Sequence, residues 1–144
     1  VRAWGVVLLL GLALTAVLEA QLRPDPDEPV RDFRLPMFGE DGFRAWELRG
    51  DAGRFQRDRT LAVEGLDLRV FGPRGEGLES RIRSPQAVLA PDESRAWGDS
   101  PLLVETDQFE LRGEDWTWDG KARRIEVRRE VHTIFFEELT GLLR

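Results

Sequence analysis

Apolar and polar residues alternate with a period near two through most of this chain, and Gly, Pro and Asp interrupt the alternation at regular intervals. Val63, Leu66, Leu68 and Val70 form one such run, with a slip at Gly65 where a bulge resets the faces. Phe109 and Leu111, then Trp116 and Trp118, then Ile125 and Val127, then Val131, Thr133 and Phe135 continue the pattern. Punctuation at Gly72-Pro73-Arg74-Gly75, Ser84-Pro85, Pro91-Asp92 and Asp119-Gly120 cuts it into strands of ordinary length. Phe33, Leu35 and Met37 predict a short leading strand over 30–38. Only Phe135 to Leu143, where Phe135, Leu139 and Leu142 recur, has the spacing of a short helix. From Gly42 onward the expectation is an all-β domain.

The pattern also repeats on a longer scale. Glu47-Leu48-Arg49-Gly50 returns unchanged as Glu110-Leu111-Arg112-Gly113, and a degenerate copy built on Ile82 lies between them. With Leu48, Ile82 and Leu111 as position zero, an apolar residue follows seven places on (Phe55, Leu89, Trp118) and twenty places on (Leu68, Leu102, Val131). Val70, Val104 and Thr133 come twenty-two places on. A polar turn follows the seventh position each time: Gln56-Arg57-Asp58-Arg59, Ala90-Pro91-Asp92-Glu93 and Asp119-Gly120-Lys121. A period of about thirty residues marks a supersecondary unit that cannot bury its own apolar face and stacks on its neighbours. Strands with one apolar face each predict two sheets facing each other along the stack. The ends of such a stack carry unpaired backbone groups, a liability in a monomer and a docking surface in an assembly.

The N-terminus obeys a different rule. Between Arg2 and Glu19 no residue is charged, and Ala3 to Leu18 is rich in Leu, Val and Ala. A helix of about 16 residues spans about 24 Å, short of the roughly 30 Å hydrocarbon core, and counting on to Leu22 restores the length if Glu19 reaches the far headgroups. One cation before the run and acids after it favour an N-terminus left in the cytoplasm. A cleaved signal peptide is the competing reading, but Leu18-Glu19-Ala20 fits the small-x-small cleavage site poorly. The expected organisation is a transmembrane anchor over 1–22, a Pro- and acid-rich extended tether over 23–42 and a β domain over 43–144.

Composition narrows the function classes. With 144 residues, 41% hydrophobic and 33% charged, the balance is that of a globular domain. Cysteine is absent, which excludes disulfides, thiol nucleophiles and cysteine metal sites. Arginine outnumbers Lys121, the one lysine, yet the net charge is -6, and a nucleic-acid backbone would be repelled. His132 is the single histidine and has no second His or Cys with which to share a metal. Asp115 and Asp119 flank Trp118 as a glycosidase pair could, but acids flank every strand of this chain. Gly50, Gly53, Gly65 and Gly113 form no phosphate loop and read as bulges or close backbone approaches. No enzymatic activity, metal or other cofactor is expected.

Trp46-Glu47-Leu48-Arg49-Gly50-Asp51-Ala52, Phe109-Glu110-Leu111-Arg112-Gly113-Glu114-Asp115-Trp116-Thr117-Trp118-Asp119 and Ile125-Glu126-Val127-Arg128-Arg129-Glu130-Val131 resemble the LptC group of the lipopolysaccharide-transport (OstA-like) superfamily. The resemblance runs from about Phe43 to Phe135, and the anchor and tether match that group's single-pass layout. It implies a twisted, boat-shaped antiparallel β-jellyroll whose apolar interior takes acyl chains of lipopolysaccharide. It also implies an inner-membrane protein with its domain in the periplasm. Such a protein accepts lipopolysaccharide from the membrane subunits of an ABC transporter and passes it to an LptA-like periplasmic bridge protein of the same fold. The chain is shorter than typical members of the group and holds three units.

Facing sheets lined by Trp46, Phe55, Trp97, Phe109, Trp116 and Trp118, beside Leu48, Val63, Leu68, Leu89, Leu111 and Val127, can close as a core or part to admit acyl chains. Each buried methylene of such a chain contributes about 0.8 kcal/mol. Aromatics at strand spacing are more often core than ligand contacts, and it is the resemblance that brings the groove forward. Its expected lining is Trp46, Leu48, Phe55, Val63, Leu68, Phe109, Leu111, Trp116, Trp118 and Val127, and its expected partner edge is Ile125, Val131, Thr133 and Phe135. Two other readings stand beside it. One is a soluble periplasmic bridge or scaffold protein of the same fold, released by signal cleavage. The other is a glycan-binding or glycan-cleaving β-solenoid, which needs a carboxylate pair beside solvent-facing aromatics.

Overall fold

The computed structural model describes residues 28–136. The anchor read over 1–22 and the helical spacing after Phe136 lie outside them. Within them the chain forms β1 (Val30–Phe38), β2 (Arg44–Phe55), β3 (Leu61–Phe71), β4 (Leu78–Ala90), β5 (Arg95–Gly98), β6 (Leu102–Glu105), β7 (Phe109–Asp119) and β8 (Arg124–Phe135), with short 3-10 turns at Pro73–Gly75 and Pro91–Glu93. All ladders are antiparallel and join one eight-stranded sheet. β5 and β6 lie end to end, each pairing with both β4 and β7, so they act as one strand interrupted at Asp99-Ser100-Pro101. The sheet is therefore a simple meander. The thirty-residue repeat is a hairpin: Leu48 faces Leu68, Ile82 faces Val104 and Leu111 faces Thr133 across its two arms.

The leading strand forms where the alternation places it, so the folded domain starts at Val30 and not at 43, and the expected tether is strand in its second half. Packing explains why. The Phe33 ring fills the space over Gly50 and Gly53, where a Cβ at either position would stand 2.5 or 2.7 Å from a ring carbon. Of the two readings, a bulge or a close backbone approach, these glycines are close approaches, but to the side chain of Phe33.

A single line of irregularity crosses the whole sheet at mid-strand. Buried positions step by three there and by two elsewhere: Gly50 to Gly53, Val63 to Leu66, Ser84 to Ala87, Gly113 to Trp116. Continuing the registers, Asp32, Asp51, Gly65, Pro85, the Asp99–Pro101 break and Glu114-Asp115 lie side by side along that line. Asp32, Gly65, Asp115 and Glu130 all have positive φ. Pro85 has no N–H to give to a ladder, and bulges bend a strand while raising its twist. The slip read at Gly65 is thus one member of a crease, and Gly65 at φ 65° adopts a conformation that an L side chain resists.

The crease and the accumulated twist roll the sheet onto itself. At roughly 20–25° per strand, the four steps from β2 to β7 add roughly 80–100° of rotation, and the sheet's diagonal corners meet. Trp46 and Trp118 lie at opposite ends of their ladders, yet their rings stand 5.6 Å apart, edge to face at 85°. The expectation of two separate facing sheets is corrected: no strand leaves the ladder, and one rolled sheet supplies both walls.

Candidate functional site

The interior of the roll is the most apolar volume of the described domain. Leu48 and Leu68 are fully buried, and Trp46, Val63, Trp116 and Trp118 are 1–3% exposed. Phe109, Leu111 and Val127 are half-buried and pack against them. Nine of the ten expected lining residues therefore meet in one cluster. Phe55 does not: it shares the inward face with Leu61, but at the last position of β2 it is 63% exposed. Trp97 is also misassigned by the pattern. Ala96 and Trp97 are neighbours on a four-residue strand, so one must face out, and Ala96, fully buried opposite Trp118, leaves room for the larger ring.

The walls of the roll are joined differently on its two sides. From β1 to β8 every neighbour is held by a backbone ladder, but among the described residues β2 and β7 meet through side chains without one. Trp46 on Trp118 closes this seam, and the Arg123–Glu79 ion pair ties the β7–β8 turn to the start of β4. Inside, the indole N–H of Trp116 is buried and has no partner. An orphaned donor of this kind costs about 1–3 kcal/mol, and it is the one polar atom of Trp116 that an internal guest could satisfy.

β8 is an open edge among the described residues, pairing with β7 alone. Phe136 N donates to Gln108 O at 2.9 Å. Since antiparallel partners exchange bonds at alternate residues, the even-numbered residues of the strand's second half, Ile134 and His132, turn their backbone groups toward β7. Val131, Thr133 and Phe135 turn theirs to the open side. Their side chains share the inward face with Leu111 and Phe109, Val131 being 48% and Phe135 63% exposed. Ile125 lies lower on the same strand, half-buried opposite Trp118.

The outer face of the rolled sheet carries a centre that periodicity did not reveal. Glu47 points outward between Trp46 and Leu48, yet its side chain is only 1% exposed. Arg34 from β1 approaches Oε2 at 2.5 Å, Arg44 the same oxygen at 3.1 Å and Arg49 Oε1 at 2.9 Å. Next to it Arg81 grips Asp67 with two bonds of 2.8 Å. Arg44 and Arg49 share Glu47's own strand, whereas Arg34 and Arg81 reach their carboxylates through cross-strand register, which no local pattern reports. Burial pushes Glu47 and Asp67 up, but their arginine partners outweigh it and hold both carboxylates below the usual values of 4.5 and 3.8. Thr60 holds Asp58 down, and the backbone N–H groups of Ala122 and Lys121 hold Asp119 down.

Carboxylates whose folded values lie below their unfolded ones add stability that is complete above the unfolded values and is lost as the pH falls through the folded ones. The melting temperature is therefore expected to stay level from about pH 7 to 5 and to fall below about 4.5. Glu47→Gln is expected to flatten part of that acid slope. Calorimetry of both proteins between these pH values checks it, and an identical acid slope in the variant contradicts the arginine-held carboxylate.

Among the described residues no group of three His, Asp or Glu stands close enough to hold a metal ion, and no helix is long and apolar enough to cross a membrane. No family model matches the chain, and no curated protein matches it.

Proposed function

We propose that this chain is a non-catalytic carrier of acylated lipid, with lipopolysaccharide as its cargo, and that the rolled sheet is an OstA-like jellyroll. The observation that carries the reading is the seam. An apolar interior closed on one side by side chains alone can part there without breaking a backbone hydrogen bond, so acyl chains can replace Trp–Trp and Trp–Leu contacts at modest cost. The orphaned Trp116 N–H supports it, because the ester or amide carbonyl of an acylated sugar is an acceptor of the right kind.

The segment 1–22 anchors the carrier in the inner membrane with the domain in the periplasm, next to the membrane subunits of an ABC transporter that supply the lipid. The β8 edge is the exit. Its outward backbone groups and exposed Val131 and Phe135 extend the inward apolar face to a boundary where a bridge protein of the same fold can add a strand. The sequence resemblance supplies the identity of these partners, and the open edge supplies the means of contact.

Full-length chain purified from a Gram-negative host in mild detergent is expected to carry lipid A species in its organic extract, detected by mass spectrometry. An extract free of lipid A from folded protein would remove the cargo from the account.

A further inference from the structure

The outer face on the far side of the crease holds a second, separate feature. Arg54, Ala62, Val88 and Trp97 lie in register across β2, β3, β4 and β5. Small side chains in the middle of that row sink the surface beside the indole and form a groove of about 660 Å³. Trp97 is 36% exposed, whereas Trp46, Trp116 and Trp118 are buried.

The rim of the groove differs from the ion-paired part of the sheet. Elsewhere Glu47, Asp67, Glu105, Glu110 and Glu114 are tied to arginines. Around the groove, the side chains of Arg31, Arg54, Glu64, Gln86 and Asp99 line or flank Trp97 and make no hydrogen bond or ion pair to a described residue. Two guanidiniums, two carboxylates and an amide add to no net charge, which gives no preference for a phosphate or a cation. They do offer closely mixed donors and acceptors.

We propose that this groove binds an uncharged saccharide, with one pyranose ring stacked on Trp97 and its hydroxyls held by Glu64, Gln86 and Asp99. A sugar ring has an apolar C–H face for the indole and a rim of hydroxyls, each both donor and acceptor, and the groove's size suits a ligand of a few rings. The site lies on the opposite face of the sheet from the apolar interior and does not depend on what that interior carries.

The test is a titration of the full chain in detergent, labelled with nitrogen-15 throughout so that indole and backbone N–H groups both report, against maltohexaose, cellohexaose and chitohexaose. At least one sugar is expected to move the Trp97 resonance saturably while those of Trp46, Trp116 and Trp118 stay. Trp97→Ala, read through the backbone resonances of Gln86 and Val88, is expected to weaken that sugar by about tenfold. Glu64→Gln and Asp99→Asn are expected to weaken it by about threefold each. No movement with any of the three sugars, movement with a neutral octapeptide alone, or equal affinity in Trp97→Ala overturns the proposal.

Discussion

Trp118→Ala is expected to lower the stability of the domain by about 3–5 kcal/mol, the range for truncating a large buried aromatic. Trp118 is 3% exposed, and its ring holds Trp46 across the side of the roll that has no backbone ladder among the described residues. Truncation leaves a cavity between walls fixed by their own hydrogen bonds, so collapse into it is limited. Trp97→Ala, by contrast, removes a ring that already meets solvent, and its cost is expected to stay below about 1 kcal/mol. Urea denaturation of the two variants beside the parent measures the difference. Equal losses would mean that the seam is not where the interior is closed.

Thr133→Pro is expected to abolish most of the binding to a bridge protein of the same fold, by about tenfold or more, while leaving the domain folded. Thr133 turns its N–H away from β7, so proline removes a donor from the open edge and none from the β7–β8 ladder. Ile134→Pro is the matching control, since its N–H belongs to the ladder with Glu110 and its loss is expected to cost stability. Pull-down by each variant, with circular dichroism for folding, separates the two effects. Undiminished binding by folded Thr133→Pro would move the junction away from β8, to β1 at the other end of the meander.

Much of the architecture was legible because strand alternation is a local signal. The hairpin repeat, the turns after Phe55, Leu89 and Trp118, the leading strand at 30–38 and the reset at Gly65 all follow from spacing and punctuation. The single rolled sheet was not legible, since facing walls look alike in sequence whether one sheet or two supply them. Only the chain of ladders from β1 to β8 tells them apart. Phe55 was misread because a pattern assigns a face but does not say where the neighbouring walls end. Trp97 was misread because β5 is four residues long and offers too few positions to fix its parity. Of the arginines around Glu47, Arg44 and Arg49 lie on its own strand, but Arg34 arrives from β1 through register, so composition showed their number and not their meeting place.

Photo-crosslinking in cells tests the central claim most directly. Benzoylphenylalanine at Phe109 sits half-buried on the inward face beside the core, and at Arg128 it sits on the outward face, where that side chain now bonds Asp115 and Thr117. The account predicts a lipopolysaccharide adduct from position 109 and none from position 128. Equal adducts at both positions, or none at position 109 in a folded membrane-bound protein, would contradict an internal lipid path.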